Sequence, residues 1–402
     1  MKKFFFWIFL FLFVYLVLES FAFAGLYFLG RTKQVYYRPF LAERLSENHR
    51  RVLNDLLVGK EKYLTYSASL GWTIKPGGSS DLYRANSQGF RSDRETTFIP
   101  APGKLRIAAF GDSFAHGDEV KNPDTWEEKL DTLDPKLETL NFGVPGYGLD
   151  QAYLRYKEQG VLFNPHIVII GFMSDDIHRS VSVFKPFYYP TTGIPLAKPR
   201  FALENDKLLF LRNPMSQLED YKRLLENERL VLRELGEYDF YFRTEYRASP
   251  LDLSYLYRFW QILRRQFFER FDAGSVYYGG RYKETSEAFL VTTQLFDAFY
   301  EEALKNGSLP LIVIFPNRPD LYRDKKNKVS DYAPLLKYLA SKGYRTLNAL
   351  DGFKKFGEGH SVDDYFNTGG QGGHYGPLGN EVVARFLYDY LKENGLLSFE
   401  QN

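Results

Sequence analysis

Apolar and polar positions along this chain fall into three regimes. The first is an unbroken run. Lys2 and Lys3 precede fifteen apolar residues at 4–18, and a second apolar stretch fills 21–30 after Glu19 and Ser20. Together they are long enough to cross a bilayer as one helix. The second regime begins at Leu105. Short, mostly apolar runs at 105–110, 137–142, 167–172, 309–315 and 344–350 alternate with amphipathic stretches at 124–133, 149–162, 286–306, 332–341 and 377–393. Apolar runs without polar alternation are expected of strands covered on both faces. Strand–helix alternation implies a parallel, doubly wound sheet. Asp124, with Glu127 three residues on, is the expected cap of one helix, and Pro377 sits in the first turn of the last. The expected architecture is α/β: a three-layer α/β/α sandwich on a mostly parallel, doubly wound sheet.

The third regime interrupts this alternation at 183–285. It opens with Pro-rich extended sequence (185–199) and continues into a charged helical stretch (217–237). In 253–271, Leu253, Leu256, Trp260, Leu263, Phe267 and Phe271 recur at helical steps, with Arg258, Arg264, Arg265 and Arg270 between them. The insertion reads as a cap over the carboxyl edge of the sheet. Its aromatics could also form a small core of their own, and its basic aromatic face is compatible with a membrane interface. The chain therefore divides into a transmembrane segment (1–33), a stem and preface (34–100), a first part of the α/β domain (101–182), the insertion (183–285) and a second part (286–402). In the preface, Leu45, Val52, Leu56 and Leu57 have helical spacing. Asn86-Ser87-Gln88-Gly89-Phe90-Arg91 could pack against the main domain.

Two readings of the N-terminus stand. It is a signal anchor, with Glu19 held by a partner or near an interface, or a signal peptide cleaved after Ala22-Phe23-Ala24. Basic residues flank both ends, so the charge rule gives no orientation. Either reading places the bulk of the chain outside the cytoplasm if the N-terminus stays inside, in the periplasm or at the cell surface. Membrane contact is then through residues 4–30. A net charge of +2 provides no basis for a nucleic-acid partner. The absence of cysteine excludes disulfides, thiolate metal sites and a Cys nucleophile. No metal-ligand spacing appears, and Gly143, Gly146 and Gly148 have the wrong spacing for a dinucleotide loop. Neither a metal nor a cofactor is expected.

Four sequence-distant elements carry candidate chemistry. Gly111-Asp112-Ser113-Phe114 follows the first strand, where a serine nucleophile would sit at the carboxyl edge with Asp112 holding the turn. Asn141-Phe142-Gly143-Val144-Pro145-Gly146-Tyr147-Gly148 follows the second strand. Gly171-Phe172-Met173-Ser174-Asp175-Asp176 follows the third, and Gly372-Gly373-His374-Tyr375-Gly376-Pro377 precedes the last helix. All four can converge on one crevice.

This order resembles the GDSL, or SGNH-hydrolase, family over roughly 100–180 and 286–395. The wider pattern is similar to its bacterial membrane-anchored branch, some members of which act on cell-surface carbohydrate esters. The resemblance implies Ser113 as nucleophile and His374 as its base, with the Ser113 and Gly146 N–H groups in an oxyanion hole. Two positions depart from the family pattern. The oxyanion Asn slot holds Asp175, whose role Ser174 or water could take, and the triad-acid slot three residues before the histidine holds Gln371. Gln371 could orient the imidazole but not stabilise imidazolium; Asp363 or Asp364 could reach in instead. The expected function is a serine esterase acting on O-acyl, foremost acetyl, groups of envelope or exported carbohydrate. The alternatives are an O-acetyltransferase acting on cell-surface glycan and an inactive carbohydrate-binding or assembly module. His116 is expected as a cap or supporting residue, and His178 as a solvated loop residue or a partner of Asp175 and Asp176. Asp118 is expected to serve turn geometry, and His49, His166 and His360 to be surface or packing residues.

Overall fold

A computed structural model describes residues 2–33, 37, 44–246, 249–267, 275–367 and 373–397. Its centre is a five-stranded sheet: β1 (Leu105–Phe110), β2 (Leu137–Asn141), β3 (Ile167–Met173), β4 (Leu309–Phe315) and β5 (Thr346–Asn348). Spatial order is β5-β4-β3-β1-β2, with every pair parallel. The chain steps outward from β1 to β2, then returns across β1 to β3. The winding direction therefore reverses between β1 and β3, and their carboxyl ends open the crevice where ligands bind in such sheets.

Alternate strand residues feed two cores, as the period of two requires. Ala108, Phe110, Val168, Ile170, Phe172, Ile312 and Ile314 face one side, packed by the helices Leu149–Glu158 and Glu287–Lys305. Ile107, Ala109, Ile167, Ile169, Leu311 and Val313 face the other, beneath the helices Trp126–Leu133, Ala349–Phe356 and Pro377–Glu393. This is the three-layer sandwich expected from the continuous apolar runs.

Several details differ from expectation. Thr125, not Asp124, caps the Trp126–Leu133 helix: its hydroxyl accepts the Glu128 N–H, while Asp124 closes a short 3-10 turn. The run expected as a strand at 344–350 is shorter, because the Asn348 side chain caps a helix beginning at Ala349. The insertion holds an antiparallel hairpin, Arg200–Glu204 with Lys207–Leu211, and the charged stretch splits at Asn227 into Asp220–Glu226 and Glu228–Glu237. Its aromatic helix is Tyr255–Phe267, preceded by a 3-10 turn, Pro250–Leu253; Phe271 lies outside the described residues. The insertion's core is not its own. Phe184, Phe187, Tyr221, Leu235 and Phe240 are continuous with the sheet's first face.

The N-terminal helix, Lys2–Lys33, has a mean hydropathy of 2.3 over its most apolar window, none of it buried, and is long enough to cross a membrane. At about 1.5 Å per residue it exceeds a bilayer core of about 30 Å. Its C-terminal part meets the insertion: the Phe23 ring packs edge-on against Tyr255 and Gly25 lies against Phe259. Glu19 accepts the Tyr255 N–H at 2.6 Å and the Ser254 hydroxyl. That is the partner its position in an apolar run requires.

Candidate active site

The nucleophile candidate sits on a turn built by its neighbours. Asp112 ends the extended chain from β1, and its Oδ1 accepts the Phe114 N–H at 2.9 Å, opening the short helix Ser113–His116. Ser113 is buried. The final loop, entering the Pro377–Glu393 helix, carries His374 to it across 261 positions: His374 Nε2 lies 2.8 Å from Ser113 Oγ. Hydroxyl and imidazole are thus within proton-transfer reach.

The carboxylate completing this relay is Glu119, whose Oε1 is 3.0 Å from His374 Nδ1. The sequence reading missed it. Asp363 accepts the Tyr322 hydroxyl and Asp364 closes its own turn onto the Ser361 N–H, so neither fills the role. Gln371 lies outside the described residues. Glu119 has φ of 68°, a left-handed conformation uncommon for a residue other than glycine and one that concentrates at functional sites. Surrounding bonds hold it there. Its N–H donates to the Tyr83 hydroxyl (2.9 Å) and its carbonyl accepts from Asn367 Nδ2 (2.8 Å). Arg91, the last residue of the preface string, spans the whole turn. Its guanidinium donates to the carbonyls of His116, Gly117 and Val120 and to Asn122 Oδ1. The preface therefore packs where expected, with a consequence for the site that its residue types did not reveal.

Behind the relay, His116 is buried between Asp118 and Tyr63. Its Nδ1 is 2.5 Å from Asp118 Oδ1, and its Nε2 2.7 Å from the Tyr63 hydroxyl. Burial foremost, and then the Arg91 charge, push its pKa down to about 4, so it is neutral. Both its ring nitrogens are engaged, which is the arrangement of a supporting residue. Asp118 does more than shape a turn, because its charge also reaches His374. Burial is the largest single influence on His374 and lowers its pKa. The Glu119 hydrogen bond and the charges of Asp118, Glu119 and Asp112 together outweigh it, and the net shift is upward.

The Gly-rich turn after β2 is drawn in close. A Cβ at Gly143 would stand 2.3 Å from the His116 nitrogen, so only glycine lets this turn approach the Ser113–His116 helix. Gly146 has φ of 78°. The preface hairpin, Leu64–Ser67 with Gly71–Ile74, clamps the turn: Trp72 Nε1 donates to the Pro145 carbonyl (3.0 Å), and the Tyr147 hydroxyl to the Trp72 carbonyl (2.6 Å). Neither the Ser113 nor the Gly146 N–H donates to any group among the described residues. Both remain available to an incoming acceptor.

The segment after β3 departs from the role considered for it. Asp175 is exposed, and its carboxylate makes no hydrogen bond among the described residues. Ser174 is committed elsewhere: its hydroxyl donates to Asp320 Oδ2 (3.1 Å) and accepts from Asn317 Nδ2 (2.9 Å). Asp176 is the inward carboxylate, accepting from the Met173 N–H and from Arg179. Arg179 also donates to Asp112 Oδ2 (3.0 Å) and to the Tyr147 carbonyl (2.9 Å), tying the segments after β1, β2 and β3 together. Burial first, and then the Asp112 charge, raise the Asp176 pKa well above the ordinary range, against the pull of Arg179. His178 is half-buried in the short helix Asp176–Arg179, and its ring nitrogens meet tyrosines instead of these carboxylates. It sits among insertion tyrosines, with Tyr241 at Nδ1 and Tyr277 at Nε2. Among the described residues no cluster of three or more His, Asp or Glu could hold a metal ion.

An α/β/α sandwich with a hydroxyl–imidazole–carboxylate relay at its switch point is a serine-nucleophile scaffold in form. No family model and no curated protein matches the chain. Among solved structures, similar chains include a lipolytic protein of the G-D-S-L family from Desulfitobacterium hafniense (11% identity, TM-score 0.35, 71% of this chain and 99% of that one). A lipase/acylhydrolase from Enterococcus faecalis has 13% identity and a TM-score of 0.35, over 74% and 99%. A catalytic mutant of Axe2, an acetylxylan esterase from Geobacillus stearothermophilus, has 10% identity and a TM-score of 0.35, over 74% and 95%.

Proposed function

We propose that the chain is a serine esterase working through a Ser113 acyl-enzyme. The contiguous relay carries this reading: Ser113 Oγ to His374 Nε2 at 2.8 Å, and His374 Nδ1 to Glu119 Oε1 at 3.0 Å. His374 Nε2 takes the hydroxyl proton as Ser113 Oγ bonds to the acyl carbon. The carbonyl electron pair moves onto oxygen, where the Ser113 and Gly146 N–H groups receive it. Collapse breaks the bond to the alcohol, which leaves with the proton from His374. Water, activated by the same imidazole, then releases the acid. Glu119 holds the imidazole tautomer and stabilises the imidazolium between the two transfers. A full relay supports an active enzyme over an inert binding module, because Glu119 supplies the charge missing at position 371.

The substrate class we infer is an O-acyl, foremost O-acetyl, ester of envelope or exported carbohydrate, met outside the cytoplasm by a domain tethered through the N-terminal helix. This rests on the motif resemblance and on that helix. The test is hydrolysis of p-nitrophenyl acetate and of acetylated glycan by the wild type, S113A and H374A, with fluorophosphonate labelling of Ser113. Loss of activity in both variants and of labelling in S113A is expected. Turnover indifferent to both changes overturns the reading. Acetyl delivery to a sugar acceptor in preference to water assigns the same relay to acyl transfer.

A further inference from the structure

The Gly-rich turn after β2 is covered by a cation that the relay does not use. Lys185 is the first residue of the 3-10 turn Lys185–Phe187, where the insertion leaves the α/β domain. Its side chain folds back over the Gly-rich turn: Nζ lies 2.3 Å from where a Cβ on Gly146 would stand. The ammonium occupies the place of the side chain that Gly146 lacks, beside an N–H that has no acceptor among the described residues. A residue with a Cβ at 146 would displace it.

Its surroundings distinguish it from Arg179. Arg179 is fully engaged, by Asp112, Asp176, the Tyr147 carbonyl and the Tyr188 hydroxyl. The Lys185 ammonium makes no hydrogen bond or ion pair among the described residues. Partly buried lysines are normally satisfied, because an unpaired ammonium in a low-dielectric site is costly. An uncommitted donor held against the oxyanion glycine suits a partner that forms only during the reaction. At the position where the motif resemblance implies an amide donor stands Asp175, an exposed carboxylate with nothing to donate.

Resting on the esterase reading, we propose that Lys185 is a catalytic residue whose ammonium donates to the oxyanion alongside the Ser113 and Gly146 N–H groups, replacing the missing amide. No proton is transferred: an N–H···O⁻ bond forms as the tetrahedral intermediate forms and breaks when it collapses. Burial first, and then the Arg179 charge, lower the Lys185 pKa to about 7, against the raising charges of Asp112, Asp118 and Asp176. The donor is therefore lost in mildly alkaline solution, and the rate falls with it.

The experiment uses the full chain in detergent, with wild type, K185M, K185Q, K185R and S113A assayed on p-nitrophenyl acetate across pH 5.5–9. Thermal unfolding serves as the folding control. K185M and K185Q are expected to lose about 10²–10³ in kcat with KM little changed, the cost of removing one oxyanion donor. K185R is expected to keep more of the rate and to lose the alkaline fall, since guanidinium stays charged. Folded K185M and K185Q within threefold of wild-type kcat would overturn the proposal while S113A remains dead. So would an effect confined to KM for anionic esters, which would make Lys185 a substrate-binding group. Full activity in S113A would instead remove the esterase reading itself.

Discussion

Glu119→Gln is the sharpest probe of the relay, because the change conserves shape and the structure constrains both orientations of the new amide. In the first, the amide oxygen replaces Oε1 against His374 Nδ1. The tautomer is kept, but the charge is gone, and the NH₂ then sits at Oε2, which has no partner among the described residues. A buried donor without an acceptor costs about 1–3 kcal/mol. In the second, the NH₂ faces Nδ1, which must then be the unprotonated nitrogen. The proton moves to Nε2, and His374 can no longer accept one from Ser113. Either way imidazolium loses its nearest counter-charge, though Asp118 and Asp112 still act on it. Replacing a relay carboxylate by an amide costs about 10⁴ in rate where no second carboxylate helps. With two remaining, a loss of about 10²–10⁴ is expected, about 3–5 kcal/mol at 1.36 kcal/mol per decade. The pH profile moves in a defined direction. His374 must be neutral to act, so the rate falls as pH drops through its pKa, which in the wild type lies above the ordinary 6.5. Removing the Glu119 contribution lowers that pKa, and the acid limb of kcat/KM shifts to lower pH. The assay is kcat/KM on p-nitrophenyl acetate from pH 5 to 9. E119Q activity within threefold of wild type, with its acid limb unmoved, refutes the assignment.

Three further outcomes follow from the packing around the relay. Arg91→Met leaves the carbonyls of His116, Gly117 and Val120 without their donor, so denaturant unfolding should show a loss of about 3 kcal/mol or more. The freed turn should lower kcat by about tenfold or more, with partial rescue by Arg91→Lys; unchanged kcat would mean that Glu119 holds its place without this clamp. Gly143→Ala puts a methyl group 2.3 Å from the His116 nitrogen and 2.5 Å from the Ala115 carbonyl carbon, backbone atoms that cannot swing aside. A loss of about 2–3 kcal/mol in thermal unfolding, together with reduced fluorophosphonate labelling, is expected. Glu127 is buried with both carboxylate oxygens unpartnered among the described residues, and burial foremost raises its pKa well above 4.5. The folded chain therefore binds this proton more tightly than the unfolded one, and the group's contribution to stability declines as pH rises above that value. Glu127→Gln should raise the melting temperature at pH 8, by about 1 kcal/mol in stability, and do little at pH 4. An equal effect at both values would show that the carboxyl is not protonated in the native state.

The α/β framework was legible because burial on both faces writes itself directly into residue type. Strands 105–110 and 309–315 and helix 377–393 match to the residue, and their inward faces are apolar apart from the buried Arg106 and Asn380. Elements of mixed pattern were not. The 200–211 hairpin has only partly buried strands, and its signal was the Asn205-Asp206 pair, whose φ values of 50° and 59° turn the chain. Such a pair between apolar stretches is a hairpin mark that the Pro-rich reading passed over. The helix 349–356 was hidden because its apolar first turn, Ala349 and Leu350, runs on from the β5 pattern. Only the Asn348 side chain, a local cap that accepts the Leu350 N–H, divides the two.

The candidate site divides along the same line. Ser113 and His374 were candidates because a strand-to-turn serine and a pre-helix histidine carry their chemistry in their identity, and the structure brings them within 2.8 Å of each other. Glu119 was missed because a carboxylate six residues after the nucleophile looks like turn chemistry. What makes it a relay member is the turn's left-handed geometry and the grip of Arg91 and Tyr83. Both hold that turn partly through backbone atoms, the carbonyls of 116, 117 and 120 and the N–H of 119. Backbone acceptors leave no trace in a residue pattern. The consequence reaches beyond one residue. With its acid on the nucleophile's own turn, the relay depends on the preface for its geometry. Segment 63–91, which carried no visible chemistry, supplies Tyr63 to His116, Tyr83 to Glu119, Trp72 to the oxyanion turn and Arg91 to the loop between them. A version of this chain cut at the start of β1 would keep the sheet's apolar runs, Ser113 and His374. It would lose the contacts that set the third member of the relay.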